Sequence, residues 1–218
     1  MNVVTYRELG VRRVVNGGGT YTLLGGSLMA REVIEAMDEA SKHFVLIDEL
    51  YDRVGEVVAK IIGSEAAYIT SGAAAGLVLA AAACITGRDL EKMRRLPVTS
   101  GIKSEIIVQR LQKNMWFRHL PQAGAKLVEV GDEENCTQED VEDGITENTV
   151  AVAYWMTMKT FGRGVSLEEV IEIARKYNLY TILDAAAELP PVENLRKFLE
   201  MGVDLVVFSG GKAIGGPN

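Results

Sequence analysis

Two apolar runs near the end of the chain, each leading to one chemically active residue, most constrain how it folds. Val203-Asp204-Leu205-Val206-Val207-Phe208 runs into Ser209-Gly210-Gly211 and then a single lysine, Lys212. One β-α unit earlier, the run 179–183 ends on Asp184. Short apolar runs bounded by turn residues read as buried strands. In open α/β sheets, ligands collect beyond the carboxyl ends of such strands. An aspartate and a lysine at two neighbouring strand ends match what pyridoxal phosphate chemistry needs. The lysine amine forms the Schiff base, and the carboxylate keeps the pyridine nitrogen protonated so that the ring acts as an electron sink.

The rest of the chain alternates in the same way. A helical pattern opens it over 5–9, followed by a glycine-rich stretch over 16–27. Amphipathic helices are expected over 30–40 and 47–62, the second closed by Gly63 as a C-cap. A short strand over 66–70 should feed a turn at Ser71-Gly72-Ala73 and a long helix to about Ile85. A short helix over 88–95 follows, then strands at 105–109, 126–130 and 150–156, with a short helix over 137–144 before the last of these. Ser166 and Glu169 form a capping box that opens a helix to Lys176, and a final helix over 194–201 stops at Gly202. Alternating strands and helices imply an α/β fold with a mostly parallel sheet and helices on both faces.

Composition sets the remaining bounds. At 218 residues and 48% apolar, the chain can bury the core of one large domain. A net charge of −7 argues against a basic nucleic-acid surface. Cys84 and Cys136 give no disulfide framework, and Cys84, in an alanine-rich helix, reads as a small buried apolar residue. The chain opens without a signal-peptide stretch. Its longest apolar region, 73–85, is broken by Gly76 and falls short of the about 20 residues a membrane span requires. A cytoplasmic location, with no membrane partner, is the expectation.

Three groups are placed to form one site. Thr70-Ser71-Gly72-Ala73-Ala74 is a small-residue strand-to-helix turn that lets backbone N–H groups reach a phosphate. By itself it is equally a tight packing turn, and it lacks the ending of a P-loop. Asp184 is a cofactor contact, an N-cap or a structural ion pair, because a carboxylate ending a buried strand needs a partner. Lys212 follows two glycines that leave room for a flat ring, with Ser209 placed to help Ser71 on the phosphate. Each group alone is ambiguous; their order is what points to the cofactor.

The motifs Val14-Val15-Asn16-Gly17-Gly18-Gly19-Thr20, Leu24-Gly25-Gly26-Ser27-Leu28-Met29, Gln122-Ala123-Gly124-Ala125-Lys126-Leu127-Val128-Glu129-Val130-Gly131, Asp184-Ala185-Ala186-Ala187-Glu188-Leu189-Pro190-Pro191 and Phe208-Ser209-Gly210-Gly211-Lys212 carry a resemblance along nearly the whole chain. The sequence resembles fold-type I pyridoxal phosphate enzymes of the selenocysteine synthase (L-seryl-tRNA(Sec) selenium transferase) family, on its ammonia-lyase-like branch. The resemblance implies the large domain of the aspartate aminotransferase-like fold over 31–218, preceded by an arm and glycine-rich segment over 1–30. It implies Lys212 as the Schiff-base lysine and Asp184 on the pyridine nitrogen. Ser71, Gly72, Ala73 and Ser209 would hold the cofactor phosphate, and Gln112 would lie over the ring face. The family also implies a dimer or larger homo-oligomer with sites at the subunit boundary.

The resemblance further implies a lyase-type reaction on a small-molecule amine: α,β-elimination with release of ammonia from an amino sugar acid or amino acid. Selenium transfer on seryl-tRNA is the alternative, and the acidic charge speaks against a tRNA partner. Two departures stand out. Met115-Trp116-Phe117-Arg118-His119 replaces a segment that usually reads closer to Gly-Tyr-Asp-His; Trp116 keeps an aromatic face, Phe117 supplies no carboxylate, and His119 reads as a surface or core residue. The sequence also ends before the last strand of the central sheet and the small C-terminal domain. That leaves 66–70 and the strand at 205–208 with open edges, and makes an inactive remnant, or one half of a split enzyme with a separate C-terminal chain, a third expectation.

Overall fold

The computed structural model describes residues 4–156 and 162–217. Its helices are α1 (Arg31–Ala40), α2 (Ile47–Ile62), α3 (Ala73–Thr86), α4 (Leu90–Arg95), α5 (Gln138–Asp143), α6 (Leu167–Lys176) and α7 (Asn194–Met201). Its strands are β1 (Glu105–Gln109), β2 (Lys126–Val130), β3 (Thr149–Trp155), β4 (Tyr180–Asp184) and β5 (Leu205–Val207). The strands form one sheet in the order β2-β1-β3-β4-β5, and every pairing is parallel.

Helix ends follow local chemistry. Gly63 closes α2 in the left-handed region, φ 75°, where its N–H returns to the Ala59 carbonyl. Reciprocal capping boxes open α5, through Thr137 and Asp140, and α6, through Ser166 and Glu169. These two helices therefore start where the sequence places them, each just beside a strand of the sheet.

Helices cover both faces. On one, Leu77, Ala81 and Ile85 of α3 pack with Ile106, Val108, Ala153 and Ile182 of the sheet, and the 3₁₀ segment Met115–Ala123 adds Phe117 and Leu120. On the other, Val141 of α5 and Val170 and Ile173 of α6 bury Ile107 and Val152. Leu183, Ile171 and Phe198 of α7 extend that layer toward β5. All five residues of β1 are buried, as the centre of a doubly covered sheet requires. Its one charged residue, Glu105, is held by Lys126 at 2.8 Å and by the Thr146 hydroxyl, which keep its pKa below the ordinary value.

Some boundaries differ from expectation. Residues 5–9 form turns instead of a helix, and β3 stops at Trp155. The segment 66–70 has no regular secondary structure and pairs with no strand among the described residues. It lies across α2, where a Cβ on Gly55 would stand 2.5 Å from the Ala67 carbonyl oxygen and Tyr51 stacks on Tyr68 at 4.9 Å. The strand expected there from its apolar, β-prone sequence does not form: a ladder needs a neighbouring strand, and none lies beside it among the described residues. β5 likewise pairs along one edge only, with β4. The arm is exposed through residue 25, including Val15 and Leu23.

Candidate active site

Register brings the site together. Trp155 is the cross-strand partner of Asp184, and Asp184 that of Val207. Because side chains alternate along a strand, Asp184 shares the α3 face with Ile182. The start of α3 packs on the end of β5, where a Cβ on Gly76 would lie 2.8 Å from Val207 Cγ1. The turn before α3, the end of β4 and the loop after β5 thus meet at one corner of the sheet, as the strand-end argument predicts.

At the turn, Gly72 has φ 113° and ψ 167°, a conformation that a side chain would strain. Thr70 Oγ1 donates to the Gly72 carbonyl at 2.8 Å and braces the turn. Gly72 provides no side-chain cap, so the first-turn N–H groups of α3 remain open donors at the positive end of the helix. Ser71 and Gly72 are exposed, and Ala73 is half-buried.

Asp184 is half-buried, and its Oδ1 accepts from the Ala186 backbone N–H at 3.0 Å. Its other oxygen accepts no hydrogen bond from the described residues. Burial pushes the carboxyl pKa up, against the lowering effects of the Ala186 N–H, the Trp155 indole, Lys212 and His119. Glu188 lies on the loop after β4, which turns back through its N–H to the Ala185 carbonyl. Burial first, and then the Asp184 charge, raise the Glu188 pKa, while Lys212 lowers it. Asp184, Glu188, Lys212 and His119 therefore form one electrostatic cluster.

Lys212 is half-buried in a loop braced by Gly215 N–H to the Lys212 carbonyl, 3.0 Å, and Gly216 N–H to the Gly210 carbonyl, 2.8 Å. Ser209, half-buried, precedes it on the same loop, and its carbonyl accepts from the Lys212 N–H at 3.3 Å. Gln112 is buried; its Oε1 accepts from the Trp155 backbone N–H at 3.1 Å, which fixes the end of β3, and its Nε2 has no partner.

The structure brings in residues that sequence reasoning left aside. His119, read as a surface or core residue, stacks on Trp116 at 5.8 Å, and its buried Nε2 lacks a hydrogen-bond partner. Trp155 packs on Phe117 at 4.1 Å and presents a buried Nε1, also without a partner. Phe117 belongs to the core. Neither His119 nor Trp155 carries a local signal; only the register of β3 and the course of the 115–123 segment bring them to Asp184. Glu188 was visible only as part of its motif.

Pyridoxal phosphate fits this corner on the chain's own features. An unfilled carboxylate oxygen on Asp184, open amides at the start of α3 and a flat Trp116–His119 pair match, in turn, a protonated ring nitrogen, a phosphate and a heteroaromatic face. Fold and site together define a cofactor-binding α/β domain with a strand-end aspartate and lysine. The chain belongs to the aminotransferase class-V family, whose model matches residues 27–218, and this family is pyridoxal phosphate-dependent.

The relatives agree. D-glucosaminate-6-phosphate ammonia lyase of Salmonella typhimurium is 36% identical over 97% of this chain and 58% of its own length. A 5'-C-glycyluridine monooxygenase-decarboxylase of a Streptomyces species is 34% identical over 99% of this chain and 55% of its own. The L-seryl-tRNA(Sec) selenium transferase of Alkaliphilus oremlandii is 27% identical, over 49% of its length. A solved structure of D-glucosaminate-6-phosphate ammonia-lyase superposes with a TM-score of 0.89 at 35% identity, covering 98% of this chain and 58% of that one. The resemblance read in the sequence is borne out. The chain spans about half the length of the curated relatives it matches. Among the described residues, no helix is long and apolar enough to cross a membrane.

Proposed function

We propose that this chain carries the cofactor half of a pyridoxal phosphate-dependent lyase that eliminates across the α and β carbons of a small amine and releases ammonia. The observation that supports this most is the convergence of Asp184, Lys212 and the open start of α3 at one corner of the sheet. The cofactor, when bound, supplies an electron sink for the substrate α-carbon.

The chain's own residues do the rest. Asp184 accepts from the ring nitrogen and holds its proton. The amides of Ala73 and its neighbours, with the Ser71 and Ser209 hydroxyls, bind the phosphate, while Gly72 lets the backbone approach. Lys212 would anchor the cofactor and is the amine placed to move the substrate α-proton. Trp116 and His119 would hold the ring, and Gln112 fixes the end of β3 through the Trp155 N–H, with an Nε2 donor unused among the described residues. Glu188, whose carboxyl pKa is raised by burial and by the Asp184 charge, is placed to give a proton to the departing group. An amino sugar acid is the substrate class, by likeness to the ammonia lyase relative. Residues 1–30 act as an arm on a 31–218 cofactor domain, in the cytoplasm.

A second feature bears on assembly. The free edge of β5 and the unpaired 66–70 segment favour completion of the sheet by another polypeptide segment, such as a separate C-terminal chain. The exposed apolar residues of the arm, of the loop before α2 and of α2, among them Val15, Leu23, Phe44 and Ile61, favour a homo-oligomer. The test of function is ammonia release from phosphorylated 2-amino sugar acids by the chain with pyridoxal phosphate, alone and with any such complementing chain. Substrate-dependent ammonia that is lost in Lys212→Ala supports the reading. Ammonia release by Lys212→Ala at the unaltered rate would overturn it.

A further inference from the structure

The arm reaches the lysine loop through Ser27, a residue that the chemistry above does not use. Ser27 gives two hydrogen bonds to one acceptor, the Gly211 carbonyl: its backbone N–H at 2.9 Å and its hydroxyl at 3.0 Å. The two residues lie 184 positions apart, and Gly211 is buried.

The acceptor is what makes the contact consequential. The Gly211 carbonyl and the Lys212 N–H belong to the same peptide plane, which is rigid. Ser27 holds the carbonyl end, and the Ser209 carbonyl holds the N–H end at 3.3 Å. With both ends held, rotation of this plane is restrained; the Gly215 N–H holds the Lys212 carbonyl at 3.0 Å, so the planes on both sides of the Lys212 Cα are restrained and with them the direction in which the side chain leaves the backbone. Downstream, the loop is braced by its own Gly215 and Gly216 bonds. Upstream, a paired contact comes from a segment that is otherwise largely exposed.

We propose that Ser27 is a positioning residue for Lys212, and that through it the arm and the lysine loop share one state. Order in the arm then aims the lysine, and occupancy of the lysine site orders the arm, because coupling between two sites is reciprocal. The catalytic part of this statement rests on the reading of Lys212 given above; the mechanical part, the arm bracing the loop, does not.

The test is amide hydrogen exchange, followed peptide by peptide, in the chain without cofactor. Ser27→Ala removes the hydroxyl bond and is expected to speed exchange over 209–216 roughly fivefold, the effect of one ordinary hydrogen bond, while Ser27→Thr restores the slow rate. Unchanged exchange over 209–216 in Ser27→Ala, or Ser27→Thr exchanging as fast as Ser27→Ala, overturns the proposal. A measurement on the unmutated chain guards against a variant that does not fold. Added pyridoxal phosphate that slows 209–216 must also slow 25–29, and an indifferent arm contradicts the coupling. If pyridoxal phosphate alters neither segment because it does not bind, the functional reading fails, while the cofactor-free comparison still decides the brace. In loaded protein, the midpoint of the cofactor's absorbance against pH is expected to move in Ser27→Ala and to return in Ser27→Thr.

Discussion

Trp155 stands opposite Asp184 across β3 and β4, and its buried Nε1 completes no hydrogen bond although it lies near enough to favour the aspartate's charged form. An unsatisfied buried donor beside a carboxylate with a spare oxygen is an arrangement held ready for a ligand. Trp155→Phe keeps an aromatic ring against Phe117 but removes the N–H. The Asp184 pKa is expected to rise further, and affinity for pyridoxal phosphate at neutral pH to fall about fivefold, the net effect of one hydrogen bond. Cofactor titration by absorbance measures it, with thermal unfolding of the free chain run alongside to separate the cost of the smaller ring. Unchanged affinity means that the indole plays no part.

Asp184 predicts a trade between stability and binding. Burial raises its pKa in the folded chain above the unfolded value. In the window between the two values the folded chain binds the extra proton, so stability falls as pH rises through that window. Burial and the Asp184 charge push Glu188 the same way. Asp184→Asn removes the buried charge. It is expected to raise the melting temperature of the cofactor-free chain at neutral pH, with a gain that shrinks as pH falls toward the ordinary aspartate range. The same change is expected to weaken cofactor binding roughly tenfold or more, the loss of a charge-assisted hydrogen bond. Melting curves across pH, paired with cofactor titrations, check both halves.

Gly55 sets how closely 66–70 approaches α2. An alanine Cβ there would meet the Ala67 carbonyl oxygen at 2.5 Å, and a backbone atom has little freedom to retreat. Alanine's better helix propensity offers at most about 1 kcal/mol. Gly55→Ala is therefore expected to destabilise by up to about 2 kcal/mol net, the cost of overpacking less the propensity gain, read from the denaturant midpoint. A stabilised variant would show that the segment does not lie where it is described.

Much of this was legible in the sequence because its signals are local. The capping box at Ser166, the C-cap at Gly63 and the apolar runs ending at Asp184 and Val207 each act over a few residues, and each falls close to where it was expected. Fully buried β1 carries its signal in the β-branched core Ile106-Ile107-Val108. What was not legible depends on distant partners. The 66–70 run has the composition of a strand, yet strand pairing is a property of two segments. The 5–9 pattern was too short to nucleate a helix without packing. His119 and Trp155 reach the site only through tertiary placement, and Ser27 reaches Gly211 across most of the chain. The order of phosphate turn, aspartate and lysine could be read; the walls around them could not.

The central claim is that Lys212 and Asp184 form one pyridoxal phosphate site. The most direct measurement adds pyridoxal phosphate to the purified chain, records the visible spectrum before and after borohydride, and maps the reduced adduct by mass spectrometry. The account predicts a yellow band that borohydride bleaches, leaving the cofactor fixed on Lys212, with neither band nor adduct in Lys212→Ala. An adduct spread over exposed lysines, or the same band in Lys212→Ala, would contradict it.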